Sequence, residues 1–255
     1  MSNEATFILL VILGALAVFV FAEGIRIIWY LIISKRLTDS IEKFERHNPS
    51  ATTRILFIGD STGYGTGTSH SRFSIVGRLG VDFPDAHIEN CSSCRLSLFG
   101  AEKILQAKAD AKDQSKFDVV IIMLGGINLV YCTPMWLVRR TLLNTIMYCK
   151  QLGHKVVLIS PNNTGLAPLY RFPLSRLYKR RARQFDALYR DVARVEHVHH
   201  ISLFQEYSDT IFTRGLFAQD GAHPNDEGYG IWYNQMQMKE TIATALNNHY
   251  GSAIK

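Results

Sequence analysis

The sequence predicts an α/β protein: a central parallel sheet with helices on both faces, carried behind an N-terminal transmembrane helix. Three observations predict it. Short, near-continuous apolar runs rich in β-branched residues recur along the chain, helical stretches fill the intervals, and an uncharged apolar segment stands at the start. Strands buried on both faces read as unbroken apolar runs because neither face meets water, and parallel strands need a crossover that is usually a helix. Composition agrees: of 255 residues, 47% are hydrophobic and 20% charged, which excludes a disordered chain. Lys plus Arg is 28 against 22 Asp plus Glu, and the resulting +6 is too small to indicate a nucleic-acid partner. Four cysteines do not make a disulfide scaffold.

The first element is the membrane segment. Residues 6 to 22, TFILLVILGALAVFVFA, are 17 uncharged residues, and the apolar run resumes after Arg26 as IIWYLII. That reaches the lower limit for a spanning helix and leaves room for tilt. A cleaved signal peptide, cut near Val20-Phe21-Ala22, is the competing reading, but Glu4 stands where such a peptide carries positive charge, and a second apolar stretch follows the supposed cut. Residues 1–36 are therefore expected to be an anchor. Arg26, Lys35 and Arg36 all follow the span, which favours the cytoplasm for the remainder over the opposite side. Residues 37–53 are polar, end in Asn48-Pro49-Ser50, and read as a juxtamembrane helix and linker.

Residues 54–250 then alternate. Strands are expected at 54–59 (RILFIG), 87–90 (HIEN), 117–124 (FDVVIIML), 155–160 (KVVLIS) and 199–203 (HHISL). Helices are expected near 97–110, 134–152, 174–195 and 225–247. No internal repeat is present, so these residues form one domain of about 200 residues.

In such folds the chemistry gathers at the carboxyl ends of the strands. The first strand runs into Gly59-Asp60-Ser61-Thr62-Gly63. A serine at a sharp strand-to-helix turn can expose its hydroxyl, with helix N–H groups nearby for an oxyanion; Ser61 or Asp60 could equally be a plain N-cap. The third strand ends in Gly125-Gly126-Ile127-Asn128, where Asn128 is either an amide donor to an oxyanion or a turn residue. Near the C-terminus, Asp220-Gly221-Ala222-His223-Pro224-Asn225 puts an acid and an imidazole three apart on one loop, so that Asp220 can fix the tautomer of His223 and leave its other nitrogen as a base.

Together these three pieces resemble the SGNH (GDSL-type) hydrolase superfamily of esterases, lipases and thioesterases. Gly59-Asp60-Ser61 resembles its first block, Gly126-Ile127-Asn128 its Gly-x-Asn block, and Asp220 to Pro224 its last block. The resemblance covers residues 53 to 245 and implies a three-layer flavodoxin-like fold with a Ser61, His223, Asp220 triad. It also implies an oxyanion hole formed by the Ser61 N–H, the Asn128 side chain and a donor from a second block. Three departures stand out. Thr62 replaces the usual Leu, Leu129 replaces an Asp that often follows the block Asn, and the second-block stretch Asn90-Cys91-Ser92-Ser93-Cys94-Arg95 has no Gly. A backbone N–H donates without Gly, so the second-block donor falls among Ser92 to Arg95, with Cys94 the candidate. The implied chemistry is acyl transfer to water through an acyl-enzyme. A lipid or lysophospholipid acyl ester is the favoured substrate. A glycan O-acetyl ester, transfer to another acceptor, or a catalytically weak tethered binding protein are the alternatives.

Other features carry less. The Gly63 to Gly67 run lacks the Lys of a phosphate loop. Cys91-x-x-Cys94 has no second pair at zinc spacing, so neither cofactor nor metal is expected. His199 and His200 read as structural strand residues. Residues 161 to 183 join Leu166, Leu169, Tyr170, Phe172 and Leu174 to Arg176, Lys179, Arg180, Arg181 and Arg183; this is either a solvated helix face or a flap that docks on lipid. Oligomeric state is not legible.

Overall fold

A computed structural model of the chain describes residues 3–111, 116–206 and 214–250. Five parallel strands, β1 (Arg54–Gly59), β2 (His87–Asn90), β3 (Phe117–Met123), β4 (Gly153–Ser160) and β5 (His199–Ser202), lie in the order β2-β1-β3-β4-β5. The register pairs Ile55 with Val119, Val120 with Val156 and Ser160 with Ser202. The chain reverses direction across the sheet between β1 and β3, where ligand crevices form in doubly wound folds.

Alternation along each strand makes two cores. Leu56, Ile58, Val120 and Ile122 face one layer, built from α4 (Leu98–Ala109), α6 (Met135–Leu152) and α7 (Leu174–Val195). Ile55, Phe57, Val119 and Ile121 face the other, where α3 (Ile75–Asp82), α8 (Asp226–Gln235) and α9 (Met238–Tyr250) pack. The expected three-layer α/β architecture is present. The remaining helices are α1 (Asn3–Asp39), α2 (Ser61–Tyr64) and α5 (Gly126–Val130).

Several expected boundaries are corrected. The strand expected at 155–160 begins at Gly153, which pairs with Phe117 directly after α6 ends at Leu152. The helix expected over 225–247 is two helices, broken at Gln237, whose φ is +46°. The break lets Met236 and Met238 both bury against the sheet. The juxtamembrane helix expected within 37–53 is absent: Leu37 to Asp39 finish α1, and the next residues run without helix. There Arg46 and Ile88 exchange backbone hydrogen bonds of 2.9 Å in both directions, an antiparallel bridge on edge strand β2. An edge strand offers unpaired N–H and C=O groups, and the Arg46 guanidinium adds bonds to the carbonyls of Gly80, Phe83 and Pro84.

Helix α1 is the one helix among the described residues long and apolar enough to cross a membrane. Its 37 residues make about 55 Å of helix. Residues 3 to 22 are exposed all round, about 30 Å of helix and so one hydrocarbon thickness. From Glu23 onward one stripe is half-buried against the domain: Glu23, Arg26, Ile27, Tyr30, Ser34 and Thr38. The helix expected as an anchor over 1–36 thus has a fully exposed part and a part docked on the domain.

Candidate active site

Strand β1 delivers Ser61 to the sheet edge. Asp60 closes the turn as the N-cap of α2, its Oδ1 accepting from Thr62 N–H (3.0 Å) and Thr62 Oγ1 (2.8 Å). Capping and exposure of the hydroxyl are therefore shared between neighbours: Asp60 caps, and Ser61 is the first residue of the helix. Burial pushes the Asp60 carboxyl above its ordinary range, against the opposing effect of the Thr62 hydrogen bonds.

The loop before α8 delivers the acid and the imidazole. Asp220 is fully buried, and its Oδ1 accepts from Ala222 N–H and His223 N–H, both at 3.0 Å. Its Oδ2 lies 2.5 Å from His223 Nδ1, and His223 Nε2 lies 2.7 Å from Ser61 Oγ. An ionised carboxylate only accepts, so Nδ1 carries the proton and Nε2 is free to accept from the serine hydroxyl. Burial alone would push the Asp220 carboxyl up. The hydrogen bonds from the His223 ring and from the two backbone N–H groups, with the His223 charge, outweigh it and hold the carboxyl below its ordinary range.

The Gly63 to Gly67 run serves this junction. Gly67 has φ +98°, and a Cβ there would stand 3.2 Å from His223 Cβ. Tyr229 of α8 donates to Thr66 O at 2.8 Å, tying the histidine loop to the serine turn.

Oxyanion donors follow from accounting for N–H groups. Ser92 N–H is used by Asn90 Oδ1 (2.9 Å) and Ser93 N–H by Gly59 O (3.2 Å). Among the described residues the N–H groups of Ser61, Cys94 and Arg95 have no protein acceptor, and all three residues line the cavity above the serine. Arg95 has φ +62°, the backbone conformation for which a glycine is usual. Asn128 is buried, with Oδ1 accepting from Leu98 N–H (3.0 Å) and Nδ2 3.4 Å from Thr133 Oγ1. That fixes the amide the right way round for donation, although Gly126 and Ile127, not Asn128, line the cavity itself.

Cys91 and Cys94 face different partners. The Cys91 thiol approaches Glu89 and is pushed up to about 11, chiefly by burial. The Cys94 thiol lies 3.3 Å from Thr38 Oγ1 and 3.6 Å from Thr66 Oγ1. The segment 161 to 183 is turned inward as far as Tyr170, and beyond it Arg171, Phe172, Arg176, Leu177, Arg180 and Arg183 are exposed. Leu169 is buried, Arg181 donates to the carbonyls of Leu129 (3.2 Å) and Thr133 (2.7 Å), and Arg183 pairs with Glu206. Arg181 is therefore a structural residue and not a headgroup contact, whereas Phe172 is 67% exposed.

The cavity has a volume of about 610 Å³ and opens over Ser61 and His223. One wall belongs to α1: Tyr30, Leu31, Ser34 and Thr38 line it. Sequence reasoning missed this wall. The signal was there, because Glu23, Arg26, Tyr30, Ser34 and Thr38 recur at helical spacing in an apolar helix, a polar stripe that cannot face lipid.

A model of the GDSL-like lipase/acylhydrolase family matches residues 57–231. No curated protein matches the chain. Among solved structures, a psychrotrophic esterase from Pseudoalteromonas sp. is 19% identical, with a TM-score of 0.58 over 76% of this chain and 99% of that one. A lipolytic G-D-S-L family protein from Veillonella parvula is 17% identical, with a TM-score of 0.57 over 72% and 96%. A carbohydrate acetylesterase from Sinorhizobium meliloti is 15% identical, with a TM-score of 0.56 over 76% and 99%. At those identities the likeness is one of fold.

Proposed function

Because the chain belongs to the GDSL-like lipase/acylhydrolase family of ester-hydrolysing enzymes, we propose that it is a membrane-anchored serine esterase acting on lipid-type acyl esters. The observation that carries this reading is the hydrogen-bonded chain from Asp220 through His223 to Ser61, at 2.5 and 2.7 Å. In the proposed reaction Ser61 Oγ bonds to the ester carbonyl carbon as its proton passes to His223 Nε2. The carbon–oxygen bond to the leaving alcohol then breaks, and the alcohol takes the proton from His223. Water attacks the acyl-Ser61, giving a proton to His223 and releasing the carboxylic acid, and the proton returns to Ser61. Asp220 stabilises the imidazolium in both halves. The Ser61 N–H, the N–H of Cys94 or Arg95, and the Asn128 amide are the proposed oxyanion donors, each worth roughly 10²- to 10³-fold in rate.

Cavity size supports a long acyl group: about 610 Å³ is a volume that encloses a drug-sized molecule, far more than an acetyl group fills. The positive residues after the span, Arg26, Lys35 and Arg36, support a catalytic domain on the cytoplasmic side.

The test is hydrolysis of p-nitrophenyl esters from acetate to palmitate by the purified full chain in detergent micelles, beside Ser61→Ala and His223→Ala. Each substitution is expected to lower kcat by about 10⁴-fold or more. A fluorophosphonate probe is expected to label the parent chain and not Ser61→Ala. Labelling or turnover that survives Ser61→Ala would overturn the reading.

A further inference from the structure

The anchor helix does more than tether the domain. Past residue 22 it lies against the domain over the carboxyl edge of the sheet, held by specific polar contacts. Arg26 donates to Leu169 O at 2.7 Å and pairs with Glu23, and Arg171 stands 3.9 Å from Glu23. Twelve residues further on, Thr38 Oγ1 meets Thr66 Oγ1 at 3.0 Å and the Cys94 thiol at 3.3 Å. The first contact fixes the helix to the loop that precedes α7. The second fixes it to the serine turn and to the loop that carries the unpaired N–H groups of Cys94 and Arg95. Between the two, Tyr30, Leu31 and Ser34 face the cavity above Ser61.

The opposite face of this docked half is apolar. Ile25, Ile28, Trp29 and Ile32 are each at least 44% exposed, and the apolar face continues without a break from the spanning residues 3 to 22. A contiguous exposed apolar face of that kind marks a contact with membrane or protein, and its continuity with residues 3 to 22 favours the membrane. The charges that interrupt the run, Glu23 and Arg26, are turned to the domain. With residues 3 to 22 across a bilayer, as the proposed anchor requires, residues 25 to 32 would hold the cavity-bearing face of the domain at its surface.

We propose that residues 23–39 of α1 form the acyl-chain wall of the active site, and that the substrate is an ester of a bilayer-resident lipid. Its acyl chain enters along Tyr30, Leu31 and Ser34 and reaches Ser61 without crossing water. The proposal rests on the esterase reading above and adds that substrate selection is made by the anchor itself.

The experiment uses the full chain reconstituted in phosphatidylcholine vesicles, with p-nitrophenyl palmitate dissolved in the bilayer and p-nitrophenyl acetate in the water. Leu31→Trp and Ser34→Trp narrow the wall; Leu9→Trp places the same bulk on the spanning part, away from the domain. The palmitate-to-acetate ratio of kcat/KM is expected to fall by about tenfold or more in Leu31→Trp and Ser34→Trp and to stay at the parent value in Leu9→Trp. An unchanged ratio in both wall variants, or a parent chain that hydrolyses only acetate, overturns the proposal while leaving the esterase intact. Acetate turnover that persists in Ser61→Ala, or a parent chain that hydrolyses neither ester, overturns the esterase reading and this one with it.

Discussion

At the scale of single residues, the site depends on one carboxylate satisfying three donors. Asp220 accepts from Ala222 N–H, His223 N–H and His223 Nδ1, and an asparagine has one accepting oxygen for all of them. Asp220→Asn is expected to favour the wrong imidazole tautomer and to lower kcat by about 10⁴-fold. It also tests the electrostatics. The folded carboxyl titrates below its unfolded value of 3.8, so the stability it contributes is present above that pH and is lost as pH falls through the lower folded value. The melting-temperature gap between parent and Asp220→Asn is therefore widest near neutrality and closes below pH 3.8, as thermal melts at stepped pH would record. A gap that widens in acid would refute the assignment. The meeting of Ser61, Asp220 and His223 was legible from the short motifs taken together and from the family they resemble, since a Ser or Asp at such a turn is by itself as readily a plain cap. Arg95 was not: nothing in an arginine announces a φ of +62°, and only the assembled loop forces it.

At the scale of elements, apolar periodicity gave the strands to within two residues and the long helices nearly to their ends. It failed where a segment's structure comes from a neighbour. Helix α3 is not legible in the sequence because Gly77 and Gly80 dilute its helical signal, yet Ile75, Val76 and Leu79 bury one face of it against the sheet while Val81 stays exposed. Residues after Asp39 looked helical but pair with an edge strand instead. The same dependence makes packing between elements testable. The 3-10 turn Thr164–Leu166 lies on the first turns of α7, where a Cβ on Gly165 would come 2.9 Å from Lys179 Cα and closer still to Ser175 O. Backbone cannot swing aside as a flexible side chain can. Gly165→Ala is expected to cost about 2 kcal/mol as overpacking, a fall of about 4–8 °C in melting temperature. Since this turn follows β4 and leads to the Arg26 contact at Leu169, weakening it loosens the α1 dock as well. An unchanged melting temperature would mean that the turn and helix are not held together as described.

At the scale of the whole molecule, what length and mean hydropathy leave out is how α1 meets the domain, which only the polar stripe from Glu23 to Thr38 signals. Hydropathy identifies a span but is blind to which face of it is spoken for, so the docked half read as more membrane. With the dock in place, the membrane orientation becomes a statement about the active site, because whichever compartment receives Lys35 and Arg36 also receives Ser61. The proposed cytoplasmic side rests on the charge asymmetry alone, and a native thiol reports on it. Cys132 is exposed, Cys149 is buried, and the Cys91 thiol is held protonated by its surroundings. A membrane-impermeant maleimide is expected to label Cys132 in inside-out membrane vesicles and not in sealed right-side-out ones, with Cys132→Ser as the reference for any labelling at Cys94. Labelling of the right-side-out vesicles would place the catalytic domain on the opposite side. The proposed lipid substrate would then be drawn from the outer leaflet, because the proposed wall of residues 23–39 can be reached only from the leaflet beside them.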